Sequence, residues 1–200
     1  MELEPHEAQA HAHPIRLSSR DDLGRSRLTV FFRLILVIPH VIWLSLWGIA
    51  VWFAVLVGWF AAMFTRRLPD GIHRFAAAYA RYFTTVYAYV FLLADPFPPF
   101  TGAEGSYPVE AEIDPPADQN RWTVFFRLLL AIPALLIAGV LRTLLEVLAF
   151  VGWFYALATG RMSDGIESLG NYALRYEVQT FGYTMLLTGK YPSLSGGPTA

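Results

Sequence analysis

The sequence predicts an all-α integral membrane protein made of two tandem units. Each unit is expected to hold a short β-strand, a helical hairpin and an amphipathic interfacial helix. Three observations support this class. Residues 13–106 and 107–200 align without a gap at a shift of 94 positions (107 minus 13). The chain is 55% hydrophobic and only 16% charged. No formally charged residue lies between Arg33 and Arg66.

The repeat is visible in long matching segments. R-L-T-V-F-F-R-L-I-L-V-I-P at 27–39 returns as R-W-T-V-F-F-R-L-L-L-A-I-P at 121–133, and V-G-W-F at 57–60 returns at 151–154. Residues 1–12 are polar and have no counterpart in the second half, so they are predicted to be a disordered tail. The domains predicted are this tail, a first membrane unit at 13–106 and a second at 107–200.

Each unit opens with a short segment that has strand character. In the second copy, Y-P-V-E-A-E-I at 107–113 alternates apolar and polar residues as a half-exposed strand does. We expect the two strands to pair as a ribbon, which would bring Arg16 and Arg20 near Glu110, Glu112 and Asp114.

The apolar run that follows is too long for one perpendicular span. A single helix over 28–65 would be about 57 Å long, nearly twice the hydrocarbon thickness of about 30 Å. In the second copy the middle of the run carries Arg142 and Glu146, and each charge would cost roughly 2.5 to 3.5 kcal/mol at the bilayer centre. A hairpin with its turn in the headgroups avoids that cost.

The predicted hairpin arms lie near 28–46 and 49–65, and near 122–141 and 146–160. Pro39 and Pro133 are expected to bend the first arm of each unit. Two alternatives stay open. The arms could form a shallower wedge, or each unit could have one long tilted span with the third helix returning.

A third helix is predicted to begin at Asp70 in the first unit and at Asp164 in the second, with both aspartates acting as helix caps. Polar residues recur at spacings of three and four along its second copy, as in an amphipathic interfacial helix. Arginines at 27, 33, 67 and 81 return at 121, 127, 161 and 175, so both units are expected to face the same way. The termini, strands and third helices are then expected in the cytoplasm.

Four of these arginines are the predicted contact residues for lipid headgroups or a partner. Arg33 and Arg127 lie just inside their helices, where a long side chain can reach the phosphates, and the alternative for this pair is a buried functional cation. Arg81 and Arg175 lie among aromatic residues of the third helix, where anionic headgroups could bind. The alternatives for this second pair are plain surface charge or pairing with Asp70 or Glu177.

Several function classes lack support. A net charge of −1 gives no basic surplus for nucleic acid. There is no cysteine, and His40 and His73 have no histidine at the matching positions, so no metal site is predicted. The sequence contains no G-x-S-x-G, H-E-x-x-H, Walker or G-x-G-x-x-G motif, so neither an enzyme nor a cofactor is expected. The acidic N-terminus M-E-L-E-P-H-E does not have the pattern of a cleavable signal peptide.

A family resemblance rests on ordered motifs. R-L-x-V-F-F-R-L-I-L-x-I-P-H, then G-W-F, R-x-P-D-G-I, an R-Y helix with A-Y-V-F-L-L, and D-P-F-P-P-F resemble the bacterial membrane family called domain of unknown function 4389. The second copy departs from the pattern at Ala134, Ser163 and Leu194. The resemblance implies a multi-pass protein of the bacterial cytoplasmic membrane and supplies no substrate, cofactor or catalytic residue.

The expected function is a lipid-interacting scaffold or an accessory subunit of a membrane complex. Its expected partners are membrane lipids and another membrane protein or a second copy of the chain. The alternative is a small transporter or channel-like protein with a site between the two repeats.

Overall fold

A computed structural model describes residues 13–195, so the tail predicted for 1–12 lies outside the described residues. Six helices and two short strands make up this part of the chain. In chain order they are β1 (Ile15–Ser19), α1 (Arg27–Leu36), α2 (Ile38–Thr65), α3 (Asp70–Val90), β2 (Val109–Ile113), α4 (Arg121–Phe125), α5 (Arg127–Thr159) and α6 (Asp164–Thr184).

The predicted ribbon is confirmed. β1 and β2 pair in antiparallel fashion, and Leu17 lies opposite Ala111 at the centre of the register. Arg16 donates from Nη2 to Asp114 Oδ1 at 2.8 Å and lies 3.4 Å from Glu112 Oε2. Because side chains alternate along a strand, Leu17 faces the protein and Arg16 faces outward.

The predicted turn inside the apolar run is wrong. α2 continues without a break through 46–49, and α5 continues through 141–146. Gly48 alone does not end a helix. Arg142 can lie inside a continuous helix, because its side chain reaches two hydrogen-bond partners beside α5. These are Glu177 at 2.6 Å and the Tyr87 hydroxyl at 2.6 Å.

The expected bends at the two prolines have different outcomes. In the first unit, α1 ends before Val37 and α2 begins at Ile38, so the break comes just before Pro39. In the second unit Pro133 lies inside the continuous α5, and the break comes earlier, at Phe126.

Asp70 and Asp164 are not the helix caps that the sequence predicts. Each is the first helical residue, and Pro69 and Ser163 hold the cap positions without a side-chain cap bond. A capping side chain must stand on the non-helical residue before the helix, so both aspartates come one position too late. Asp70 instead accepts from Arg67 at 2.9 Å, and both carboxylates lie in the first turn, where the helix dipole favours negative charge.

Contacts between the two units come in exchanged pairs. Trp59 of the first unit donates from Nε1 to the Val124 carbonyl of the second at 2.8 Å. Trp153, at the position matching Trp59, donates to the carbonyl of Val30, which matches Val124, at 3.0 Å. Such an exchange is the pattern of a two-fold relation between units.

The backbone repeats the same exchange at the ends of the long helices. The Gln119 amide donates to the Arg66 carbonyl at 2.7 Å, and the Arg25 amide donates to the Gly160 carbonyl at 2.9 Å. Arg66 and Gly160 match across the repeat, and both have a left-handed backbone with φ of 65° and 72°. The two units therefore hold each other's helix ends in the same conformation.

The third helices form the centre of the protein. More than half of the residues in α3 and α6 are buried. The two helices contact each other, and the ribbon packs on both of them. The apolar face of each helix is thus covered by protein. The long helix α2 packs against α3, and the long helix α5 packs against α6.

The outer helices leave a broad apolar surface uncovered. Large hydrophobic side chains are exposed along α1, α2, α4 and α5, including Phe53, Phe64, Leu128 and Phe150. By length and composition alone, α2 and α5 could each cross a membrane. Only 17% and 22% of their most apolar segments are buried, in contrast to a core helix of a soluble protein.

Candidate functional site: buried arginines and the interface between the units

The C-terminal end of α3 has an unusual backbone. Leu92 has a left-handed φ of 63°, a region that glycine usually occupies. The Leu93 amide donates to the Ala88 carbonyl at 2.9 Å, which is the bond that closes a Schellman motif. Leu186, the matching residue after α6, has the same φ of 63° and the same pattern of bonds.

Arg33 holds this helix end from inside the protein. Its Nη1 donates to the Tyr89 carbonyl and, at 3.0 Å, to the Ala94 carbonyl, and its Nη2 donates to Asp95 Oδ1 at 2.9 Å. The guanidinium lies 4.3 Å from the centre of the Tyr89 ring. A cation at a helix C-terminus interacts favourably with the free carbonyls and the dipole.

Arg127 does the same for α6. It donates from Nη1 to the Thr188 carbonyl at 3.0 Å and from Nη2 to Gln119 Oε1, and its guanidinium lies 4.0 Å from the centre of the Tyr183 ring. The position of Asp95 is occupied here by Gly189, so the Gln119 amide oxygen takes the role of the carboxylate.

The structure gives Arg33 and Arg127 surroundings that differ from the headgroup contact predicted for them. These residues are 2% and 1% exposed, so a phosphate cannot reach them without displacing the protein. Both charges are already matched by backbone carbonyls, a side-chain oxygen and an aromatic ring. Their role in the structure is to fix the ends of α3 and α6.

Arg81 and Arg175 fasten the segment that follows the third helix. Arg81 donates from Nε to the Gly102 carbonyl at 2.8 Å and pairs with Glu104 at 3.1 Å. Arg175 donates to the Ser195 carbonyl at 3.3 Å. Contact of these two side chains with headgroups stays a prediction. Neither of the carboxylates suggested as their alternative partners is used in that way, since Asp70 pairs with Arg67 and Glu177 with Arg142.

A polar cluster joins the two units beside the middle of α5. Arg142 donates to Glu177 Oε1 of α6 at 2.6 Å and to the Tyr87 hydroxyl of the first unit at 2.6 Å. Its Nε lies 3.6 Å from Glu146, an exposed acid four residues further along α5. Glu177 and Tyr87 lie 35 and 55 positions from Arg142 in the chain, so no local spacing pattern links them to it.

Glu177 is the most buried acid of this cluster. Its burial raises the pKa of the carboxyl group, and the Arg142 cation opposes that shift by favouring the ionised form. Within residues 13–195, Oε2 of Glu177 has no hydrogen-bond partner. The carboxyl group can therefore accept a proton or a further donor on this side.

The cluster exists on one side of the two-fold relation only. The positions that match Arg142, Glu177 and Tyr87 hold Gly48, Phe83 and Phe181, and the two phenylalanine rings stack at 4.7 Å. The same place in the fold is thus charged on one side and aromatic on the other. This divergence between the copies is the signal from which the cluster could have been found.

Two cavities lie beside the positions that differ between the copies. One of about 720 Å³ lies between the units and is lined by Gly48, Trp52 and Trp59 of α2, by Phe181 of α6 and by Arg127. The other, of about 380 Å³, is lined mainly by α2 and α3, with Arg142 of α5 at its wall. The larger cavity lies between the two repeats, the position expected for the site of a transporter or channel-like protein. Among the described residues, no group of three or more His, Cys, Asp and Glu side chains could hold a metal ion.

These features define a duplicated helical protein whose units exchange contacts about a central ribbon and leave a broad apolar surface exposed. The chain belongs to the family described as domain of unknown function (DUF4389), which matches residues 27–102 and 121–195. The two matched segments start at equivalent positions, so the family assignment and the internal repeat agree. No curated protein and no solved structure matches the chain.

Proposed function

We propose that this chain is an integral membrane protein that acts as a lipid-interacting scaffold or as an accessory subunit of a membrane complex. The observation that supports this is the exposed apolar surface of α1, α2, α4 and α5. Soluble monomers rarely expose apolar patches of more than a few hundred Å², and larger ones mark contact with a membrane or another protein.

The distribution of charge supports a membrane as the main partner. The exposed ion pairs of Arg16 lie on the ribbon, which packs on α3 and α6 and is separated from the apolar helices by them. Aromatic residues such as Trp43 and Trp122 lie on the exposed apolar surface, and the interface between lipid and water favours such rings. The proposed location is the bacterial cytoplasmic membrane with the ribbon toward the cytoplasm.

Membrane fractionation with carbonate extraction tests this proposal. We expect the wild-type protein to stay in the membrane pellet. The triple variant Phe53→Lys, Leu136→Lys and Phe150→Lys places three cations on the apolar surface, and its membrane-bound to soluble ratio should fall at least tenfold, which corresponds to about 1.4 kcal/mol.

The matched control places the same three charges in an exposed segment next to the ribbon, where the Gly105 amide donates to Glu110 Oε1 at 2.8 Å. Thr101→Lys, Ala103→Lys and Ser106→Lys all lie in the exposed segment after α3, and this variant should stay membrane-bound. Equal loss from the membrane in both variants, or a wild-type protein released by carbonate, would contradict the proposal.

A transporter or channel-like function is the second candidate. It is favoured by the cavity between the units and by the Arg142–Glu177 pair, whose arginine lines the smaller cavity. Polar pairs at repeat interfaces are typical sites for ions and solutes in transporters. In liposomes loaded with a pH-sensitive dye, a proton-coupled transporter should collapse a pH gradient. Glu177→Gln should abolish that activity, whereas Glu146→Gln, at the exposed neighbour, should retain it. A gradient as stable as that in empty liposomes would exclude proton flux by this route.

A further inference from the structure

We infer that the protein lies within one leaflet of the membrane, with α2 and α5 parallel to the membrane plane, and does not cross the bilayer. This inference rests on the membrane association proposed above and replaces the multi-pass arrangement that the sequence predicts. It follows from the placement of the charged ribbon relative to the two long helices.

Taken from start to end, α1 and α2 together run in the opposite direction to α4 and α5 together. Arg27, at the start of α1, donates to the Ala158 carbonyl near the end of α5 at 3.0 Å. Arg121, at the start of α4, donates to the Phe64 carbonyl near the end of α2 at 3.0 Å. A two-fold operation that exchanges the two ends of the molecule in this way has its axis perpendicular to the line that joins those ends, along which the long helices extend.

The ribbon lies on this two-fold axis. Leu17 and Ala111 are equivalent positions and pair with each other, so the axis passes between them. The ribbon is therefore level with the middle of α2 and α5. Its outward side chains Arg16, Glu112 and Asp114 are 45%, 44% and 43% exposed.

Crossing the bilayer would put these charges in the wrong place. If α2 and α5 stood along the membrane normal, the ribbon would lie at the depth of the bilayer centre and face lipid. Charged side chains there cost roughly 2.5 to 3.5 kcal/mol each. Arg142 and Glu146, near the middle of α5, would lie at the same depth and are partly exposed.

The lengths of the long helices and the charges at their ends also favour an arrangement parallel to the membrane plane. α2 is about 42 Å long and α5 about 50 Å, both well above a hydrocarbon thickness of about 30 Å. Arg66, Arg67 and Arg121 lie at one end of the molecule, and Arg25, Arg27 and Arg161 lie at the other, so each end carries three arginines and neither is the more basic one. A crossing protein usually carries its excess of positive charge on one side only.

The in-plane arrangement places the exposed apolar side chains in lipid and the charged ribbon in water. The exposed apolar side chains of α1, α2, α4 and α5 enter the acyl region of one leaflet, as those of interfacial helices do. The ribbon stays on the aqueous side, behind α3 and α6. Arg142 points toward Glu177 and Tyr87 in the protein, and the arginines at both helix ends can reach the headgroups of the same leaflet.

Single-cysteine labelling tests the arrangement directly, because the natural chain has no cysteine. Thr65→Cys and Thr159→Cys are a matched pair at the ends of α2 and α5, both exposed and with equivalent hydroxyl bonds. Ser106→Cys reports the ribbon side. Each variant is treated with an impermeant thiol reagent, first on intact cells and then after permeabilisation.

In the in-plane arrangement all three cysteines lie on the same side of the membrane. We expect labelling below a tenth of the permeabilised level from outside at all three sites. Labelling of all three from outside would place the protein in the outer leaflet and also support the in-plane arrangement. Any split among the three sites would overturn it. The crossing arrangement specifically requires that only one of Thr65→Cys and Thr159→Cys be labelled from outside.

A depth measurement gives an independent answer. A bimane label at Ile42, Phe53 or Phe64 samples the exposed side of α2, and lipids brominated at known depths quench it in liposomes. The in-plane arrangement predicts equal depth at all three positions. A crossing helix would place Phe53 about 16 Å deeper than Ile42 or Phe64. If none of the three labels is quenched, the membrane association itself fails, which separates failure of the proposed function from failure of this inference.

Discussion

Leu17 and Ala111 occupy the same position in the two units, and they lie opposite each other at the centre of the β-ribbon. A residue that pairs with its own equivalent must lie next to the axis that relates the units. The exchanged contacts of Trp59 and Trp153 are related by the same operation. The ribbon, the third helices and the long helices therefore follow one approximate two-fold symmetry.

The exchanged tryptophan bonds should contribute equally. Trp59→Phe and Trp153→Phe each remove one N–H donor to a backbone carbonyl, so each should lower the free energy of unfolding by about 1 kcal/mol. Unfolding by SDS titration in mild detergent micelles measures this. Trp52→Phe, at an exposed position, serves as the control and should change little. A loss in only one of the two variants would contradict equivalent roles.

The buried arginines should matter for stability and not for lipid retention. Arg127→Met leaves the Thr188 carbonyl and Gln119 without their charged donor, and Arg33→Met does the same in the first unit. Each should cost about 2 to 3 kcal/mol of unfolding free energy.

Two readouts separate a structural role from a headgroup site. Thermal unfolding in detergent should show the loss for Arg33→Met and Arg127→Met, and Arg74→Gln, an exposed arginine on α3, should behave as wild type. The amount of anionic lipid that co-purifies should be the same for all. Loss of lipid without loss of stability would restore the headgroup role for these two arginines.

Replacing Arg66 with glycine should stabilise the protein. Its φ of 65° lies in the left-handed region, which disfavours residues with a Cβ by roughly 1 to 2 kcal/mol. Arg66→Gly should therefore raise the unfolding free energy by about 1 kcal/mol. The natural control is Gly160 at the matching position, with φ of 72°. Gly160→Ala should lower stability by a similar amount, and opposite signs in both variants would refute the explanation.

Gly102 should not tolerate a side chain. An added Cβ would lie 1.9 Å from the backbone oxygen of Ala78, so the segment after α3 would have to move away from the helix. Gly102→Ala should thus separate the Gly102 carbonyl from Arg81 and make residues 98–106 more sensitive to limited proteolysis. In Gly139→Ala the new Cβ has no neighbour within 4 Å, and this variant should keep wild-type resistance.

The titration of Glu177 should depend on Arg142. Burial raises the pKa of this carboxyl group, so the folded state holds a proton more tightly than the unfolded state does. Its contribution to stability is therefore greatest at low pH and is lost as the pH rises from the unfolded pKa through the folded one. Arg142→Gln removes the opposing cation and should move the titration to higher pH. Infrared spectroscopy of the protonated carboxyl band, with Glu177→Gln to assign it, measures the shift. An unchanged titration would mean that the pair does not form.

The repeat and the ribbon could be predicted from the sequence because both are local patterns. The shift between the copies is read directly, and the alternation at 107–113 indicates a strand. The continuous long helices could not be predicted in the same way, because the turn of the hairpin was inferred from the free-energy cost of placing Arg142 in lipid. That argument holds only if the side chain has no partner in the protein, and Glu177 and Tyr87 supply two.

The roles of the arginines also depended on tertiary structure. A buried arginine that holds a helix end and an arginine that reaches a phosphate have the same sequence surroundings, namely a cation one or two turns inside an apolar helix. Only the fold shows that the carbonyls of Tyr89 and Ala94 lie within reach of Arg33. The side chain of Gln119 donates to Leu186 within its own unit, and Trp59 donates to Val124 in the other unit. Neither bond has a local signal in the sequence, because donor and acceptor are more than 60 positions apart in the chain.

The difference between Gly48 and Arg142 has a consequence for how such a protein can change over time. In a dimer of two identical chains, a charge introduced beside the axis appears twice, and each copy needs its own buried acid. In one chain with two joined units, Arg142 can acquire Glu177 and Tyr87 while the opposite side keeps Gly48, Phe83 and Phe181. Covalent linkage of the halves thus permits a single asymmetric polar centre in an otherwise symmetric fold.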